Sequence, residues 1–224
     1  PKVIGIDESL DDKYGDGLTA SLKARLVQAI GPDYAKRLKS ASRVAVRVLE
    51  ERTPQEITVY PQIAAIAHTI IAEAFSNQVI TPGVTTTDDV VWWTRERSRQ
   101  LGFVNWFHTS VSIQRPKDSP FGRSPVIQRG DLLHIDFGIV YMNLCTDTQQ
   151  QAYVLKETET DAPAGLKKAL ALANRLQDIH LEEMRPGRTG NEVLAAALRR
   201  ANAEGLRPSI YSHPLGVHGH AAGA

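Results

Sequence analysis

Asp136 and Asp147 stand eleven residues apart in the run GDLLHIDFGIVYMNLCTD, residues 130–147, a spacing that can bring two carboxylates together across a hairpin. Leu133, Ile135, Phe137 and Ile139 alternate with His134, Asp136 and Gly138. That is the period-two pattern of a strand with one buried face, so Asp136 points away from the apolar side. A second β-prone stretch begins near Leu144, and a turn centred between Tyr141 and Met142 would set Asp136 directly opposite Asp147. Opposed like charges destabilise a sheet. A shared proton could offset the repulsion, and one or two divalent cations held by the carboxylate oxygens would do so better. A register slipped by one residue would instead send the two groups to opposite faces as ordinary solvated charges.

Imidazoles supply the second half of a possible metal site. His213, His218 and His220 fall within eight residues, interleaved with Gly216, Gly219 and Gly223. Glycine lets backbone approach a ligand closely, and neutral imidazole binds borderline metals. Alone, such a segment could equally be a solvated tail; beside two carboxylates it offers a mixed oxygen and nitrogen site suited to Mn, Co, Zn or Fe. His134 shares the face of Asp136, where it could donate to a ligating carboxylate. His108 and Trp106 are candidates to line a pocket or simply to pack. His68 and His180 fit helical patterns as surface or satisfied structural residues, and Trp92 and Trp93 as packing residues. The sole cysteine, Cys145, excludes an intrachain disulfide and reads as a small strand residue rather than a nucleophile. No phosphate loop, dinucleotide fingerprint or nucleophile elbow is present.

These residues need a scaffold. With 224 residues, 42% hydrophobic content and a mean hydropathy of −0.25, the chain has the composition of a soluble globular protein. A formal charge of +1, without a dense basic block, speaks against nucleic acid as a partner, and no apolar run approaches the length of a membrane span. Residues 21–51 carry helical spacing broken at Gly31-Pro32, predicting two helices. Thr53-Pro54-Gln55-Glu56 is a strong helix start, with the helix expected to reach about residue 77 through Pro61. An internal echo follows: ITPGVTTTDDVV at residue 80 returns 104 residues later as MRPGRTGNEVLA. Each copy follows a long amphipathic helix and opens another, with Thr85 and Asp88, and Thr189 and Glu192, spaced as cap and acidic partner and with Gly102 and Gly205 as stops. Residues 103–114, 132–141, 144–155 and 209–213 read as strands, and 115–128, with three prolines, as a surface loop. Two such halves predict an α+β domain of quasi-twofold symmetry, with helices outside a bent antiparallel sheet. Residues 1–52 read as the end of an N-terminal domain and a linker, and 53–224 as the catalytic domain. The start without methionine and the stop inside a glycine–histidine motif suggest a longer parent protein.

His134-Ile-Asp136-Phe-Gly, the step to Asp147, the two Pro-Gly helix entries and Gly219-His220-Ala-Ala-Gly223 together resemble the pita-bread metallopeptidases: methionine aminopeptidase, aminopeptidase P, prolidase and creatinase. The resemblance spans about residues 53–224, and residues 4–51 are similar to the end of the N-terminal domain of the prolidase and aminopeptidase P branch. It implies the pita-bread fold and a dinuclear peptidase using Mn, Co or Zn, which cleaves short peptides at Xaa-Pro bonds. By resemblance Asp136 and Asp147 are metal ligands, with Asp147 bridging, and His220 is the histidine ligand with His218 as its rival. His213 becomes the substrate-binding imidazole, and His213 or His218 would stabilise the oxyanion. The chain departs from the family in having Gln149 where threonine is frequent, and in a His213 to His220 spacing about three residues longer than usual. It also lacks a pocket histidine before the aspartate strand, and two glutamate ligands are expected beyond Ala224. A homodimer in the cytoplasm is expected. The alternatives are a non-catalytic pita-bread binding module and a creatinase-like amidinohydrolase.

Overall fold

The computed structural model describes residues 2–11, 13–217, 219 and 220. The first fifty residues build a parallel pair, β1 (Ile4–Ile6) with β2 (Leu38–Ser40), and a parallel pair needs a crossover, here helix α1 (Ala20–Ala35). Helix α1 is interrupted at Gly31, with φ 74°, where the sequence predicted a break between helices. The second predicted helix is shorter than expected, because β2 takes its first residues and leaves α2 (Ser42–Glu50).

Two echoing helix pairs follow. Thr53 and Glu56 form a reciprocal capping box that opens α3 (Pro54–Ala74), which continues through Pro61 and stops three residues earlier than predicted. Helix α4 (Thr87–Gln100) starts one residue later than the sequence suggested. Thr86 and Asp89, not Thr85 and Asp88, make its capping box, while the Thr85 hydroxyl accepts from the Thr81 amide and donates to the Val79 carbonyl. The second pair is α5 (Ala164–Glu183) and α6 (Gly190–Ala203), the latter capped by Thr189 and Glu192 as predicted. The turns match in backbone as well as in sequence, since Gly83 and Gly187 have φ of 85° and 87°.

A three-stranded antiparallel sheet, β3 (Ser110–Gln114), β4 (Leu132–Phe137) and β7 (Thr148–Tyr153), lies in the order β3-β4-β7. Between β4 and β7 the chain makes a separate hairpin, β5 (Val140–Tyr141) with β6 (Leu144–Cys145). Leu133, Ile135 and Phe137 are buried against Ile63, Ala67, Ile70 and Ile71 of α3 and against Val90 of α4. Each such side chain contributes about 1.5–3 kcal/mol by leaving water. The alternate residues of β4, including Asp136, look the other way. Of the predicted strand 103–114 only Ser110–Gln114 pairs regularly, and Val104 makes a lone bridge to Val140. Residues 209–213, predicted as a strand, have no strand pairing. No helix among the described residues is long and apolar enough to cross a membrane.

The α5–α6 pair packs through Ile179, Ala197 and Ala201. Glu183, 6% exposed, lies between Arg188 and Arg200, whose hydrogen bonds, Arg200's first, hold its carboxyl down at about 2. A carboxyl lowered on folding contributes stability above its unfolded pKa of about 4.3 and loses it as pH falls towards 2. Thermal melts from pH 6 to pH 2 should therefore show an acid-side fall in Tm that Glu183→Gln makes shallower. An equal fall in both proteins would contradict the assignment. His180, expected at the surface or satisfied, is instead buried with neither ring nitrogen hydrogen-bonded among the described residues, because it lies on the packed face beside Ile179.

Candidate metal centre

Strand β4 delivers Asp136 to one side of the sheet, and the chain then turns through Gly138. A side chain at Gly138 would overlap the Thr146 carbonyl and the indole of Trp106. Asp136 pairs with Gln149, not with Asp147. The register differs from the predicted one by two residues, because the hairpin closes with Met142 and Asn143, whose φ values of 50° and 64° make the compact two-residue turn. A shift of two preserves the face, so the carboxyl groups are diagonal neighbours rather than opposed ones. Burial, then the charge of Asp147 and a hydrogen bond with it, push the Asp136 carboxyl above the ordinary range; His134 and His220 act in the opposite sense.

His220 meets the same acidic pair from a segment 73 residues away. Its Nε2 is 3.1 Å from Asp147 Oδ2, and His213 Nε2 is 3.7 Å from the same oxygen. Donor atoms of Asp147, His213 and His220 all lie within 4.8 Å of one another. The two imidazole centroids are 4.1 Å apart. Asp136 lies beside this group, hydrogen-bonded to Asp147, with a buried Oδ1 that has no hydrogen-bond partner among the described residues. Buried acceptors are nearly always satisfied, so an orphan beside a carboxylate and two imidazoles fits a divalent cation held by Asp136, Asp147 and His220. His218 and Gly223, to which the sequence also pointed, lie outside the described residues.

Local packing fixes the histidine turn. Gly216 and Gly219 bridge to each other. The Cys145 amide donates to Gly216 O (3.0 Å), and the Gly219 amide donates to Cys145 Sγ (3.2 Å). Gly219 has φ 64°, and any side chain there would run into the Trp106 ring. Trp106 donates from Nε1 to Thr146 O (2.7 Å) and stands edge-on to His220 at 5.3 Å. Cys145 is therefore an anchor, and burial pushes its thiol up, away from the nucleophilic thiolate. Tyr60 donates to Cys145 O (2.8 Å), and burial first, then Cys145 and Asp147, raise its phenol to about 12. Nothing in the sequence singled out Tyr60, since it occupies an ordinary position in a helical period. His134 reaches Gln149 Oε1 (2.9 Å) rather than a carboxylate, and His108 is exposed while Trp106 alone meets the cluster.

Residues 60–223 match the model of metallopeptidase family M24. A comparison with curated protein sequences returns no match. Among solved structures, the X-Pro aminopeptidase of Thermotoga maritima is similar over 91% of this chain and 54% of its own, with 21% identity and a TM-score of 0.63. The Xaa-Pro dipeptidase of Bacillus anthracis is similar over 91% and 53%, with 22% identity and a TM-score of 0.61. Aminopeptidase P of Escherichia coli is similar over 100% and 55%, with 16% identity and a TM-score of 0.64. The chain thus spans about half the length of these structures, and over that span it has their pita-bread fold. With the family model matching most of its length, the chain belongs to metallopeptidase family M24.

Proposed function

We propose that this chain carries part of the dinuclear centre of a peptidase that hydrolyses short peptides at Xaa-Pro bonds. The observation that carries the reading is Asp147, whose Oδ2 lies 3.1 Å from His220 Nε2 and 3.7 Å from His213 Nε2, while Asp136 beside it keeps a buried, unsatisfied oxygen. Asp136, Asp147 and His220 would hold the ions, Mn, Co or Zn. Divalent cations bound there supply water activation near neutral pH and polarisation of a scissile carbonyl. Trp106, locked by its bond to Thr146, keeps the His220 ring in place and shields one edge of it from water. An imidazole, His213 or His218, would meet negative charge as it develops on the carbonyl oxygen. The X-Pro aminopeptidase and Xaa-Pro dipeptidase among the similar structures support Xaa-Pro peptides as first substrates.

Elemental analysis of the purified protein should find stoichiometric divalent metal. Hydrolysis of Xaa-Pro dipeptides and Xaa-Pro-Xaa tripeptides should appear with Mn, Co or Zn and stop on chelation. Absence of bound metal would eliminate the peptidase; metal with cleavage of creatine in place of peptides would move the reading to an amidinohydrolase.

A further inference from the structure

Strand β3 closes one side of the sheet, whose order is β3-β4-β7, and its outer edge is unpartnered. Apart from the ladder to β4, the backbone of Ser110–Gln114 makes no hydrogen bond among the described residues. In an antiparallel ladder alternate residues turn both N–H and C=O outward, so this edge offers donors and acceptors together. Edge strands are ordinarily guarded by a charge or a proline, and the five residues Ser-Val-Ser-Ile-Gln carry neither. A cleft of about 380 Å³ is lined by β3, by Thr87 at the start of α4 and by residues 122–125 of the proline-containing loop.

The lining chooses the occupant. It includes two arginines and no acidic residue. Arg115 is spent, because it pairs with Asp131 and donates to the Ser124 and Val126 carbonyls. Arg123 is exposed and has neither an ion pair nor a hydrogen bond among the described residues. Val111 and Ile113 add apolar surface. The cleft therefore suits a molecule that presents alternating backbone donors and acceptors, an apolar side chain and a negative charge. Only an extended polypeptide has the first of these, which sets aside free anions, nucleic acid and lipid headgroups. The charge belongs to a side chain rather than a chain terminus. Terminal carboxylates are gathered by backbone amides, and those of Thr87, Gly122 and Ser124 already donate to the Pro125, Ser119 and Phe121 carbonyls. A second copy of the chain fits poorly, since a twofold pairing through β3 would bring two Arg123 guanidiniums to one seam with no acid in the lining.

We propose that the β3 edge is a docking site for an extended acidic segment of a partner protein, which joins the sheet as a fourth strand and sets a carboxylate on Arg123. The five residues of β3 span roughly 17 Å, enough for a partner strand of about the same length. The proposal stands apart from the peptidase reading and needs no metal.

The test is a titration of the ¹⁵N-labelled full chain with the capped peptide acetyl-Thr-Val-Glu-Val-Thr-amide, which has no terminal charge and no proline. Amide resonances of residues 110–114 should shift. Arg123→Ala should keep the wild-type melting temperature and weaken binding about tenfold, as should Gln in place of Glu in the peptide, each removing one hydrogen bond between charged groups. Methylating the peptide amides one at a time should abolish binding at alternate positions only, because a strand pairs through every second residue. Absence of shifts at 110–114 up to millimolar peptide, unchanged affinity after either charge is removed, or methylation tolerated at every position would each overturn the proposal. So would a Gln peptide with a free C-terminus that binds as tightly as the capped Glu peptide. Shifts at β3 that grow with protein concentration alone would give the edge to a second copy and equally overturn it.

Discussion

Asp147→Asn is expected to abolish stoichiometric metal binding while leaving the fold intact. The amide keeps the shape of the carboxylate and can still hydrogen-bond the nearby imidazoles, but it removes the charge that His213 and His220 converge on. Metal affinity should fall by more than the roughly 10–100-fold that loss of an outer-shell partner costs. Hydrolysis should fall on the order of a thousandfold, the scale associated with removing a group that stabilises transition-state charge. One consequence separates this prediction from simple damage. In the metal-free protein Asp147 is a like charge beside half-buried Asp136, whose carboxyl it helps push upward. Removing it should stabilise the metal-free form even as it destroys the centre. Thermal unfolding with and without chelator checks both halves: the wild type should lose stability on chelation, and the variant should not respond. A variant that still binds metal and responds to chelation like the wild type would refute the role of Asp147.

Asp131→Ala carries the largest expected loss of stability. Arg115 and Asp131 form a bidentate pair at 2.6 Å for each bond, with side chains only 6% and 2% exposed. The same guanidinium donates to the carbonyls of Gly122, Ser124 and Val126, so it gathers the proline-containing loop against the sheet. Asp131 Oδ2 also accepts from the Gln128 amide at 2.7 Å. Alanine at 131 leaves a buried cation without its counter-charge, which costs about 3–5 kcal/mol. The exposed pair Lys36–Asp33, with side chains 76% and 85% exposed, provides the contrast, and Asp33→Ala should stay within about 0.5 kcal/mol of the wild type. Urea denaturation of the two variants measures the difference, and a loss under about 1 kcal/mol at 131 would overturn the argument.

What the sequence made legible was local. The Thr53 and Thr189 caps, the paired Pro-Gly turns and the alternation of β4 all follow from contacts within a few residues, and the structure has them. Register was the first casualty of distance. Asn143 tolerates a left-handed backbone and could have marked a two-residue turn, but Met142 beside it gives no such signal, so the hairpin centre was placed one residue early. Thr85 lost the cap to Thr86 because its hydroxyl is used by the preceding turn. The unsatisfied ring of His180, the thiol that holds Gly219 and the Arg115 clamp have no periodicity behind them, since each joins or buries residues by tertiary packing. The family resemblance added what periodicity could not, the choice of His220 as the partner of the two aspartates, and the structure sets its Nε2 3.1 Å from Asp147 Oδ2.

The tight turn at Met142 and Asn143 joins two acids eleven residues apart, while the imidazole of His220 closes a loop of 73 residues. Short loops close within microseconds and synthesis proceeds from the N-terminus, so the oxygen-bearing hairpin precedes its nitrogen partners in time. The two carboxylates therefore stay without their imidazole partners until the glycine–histidine segment arrives.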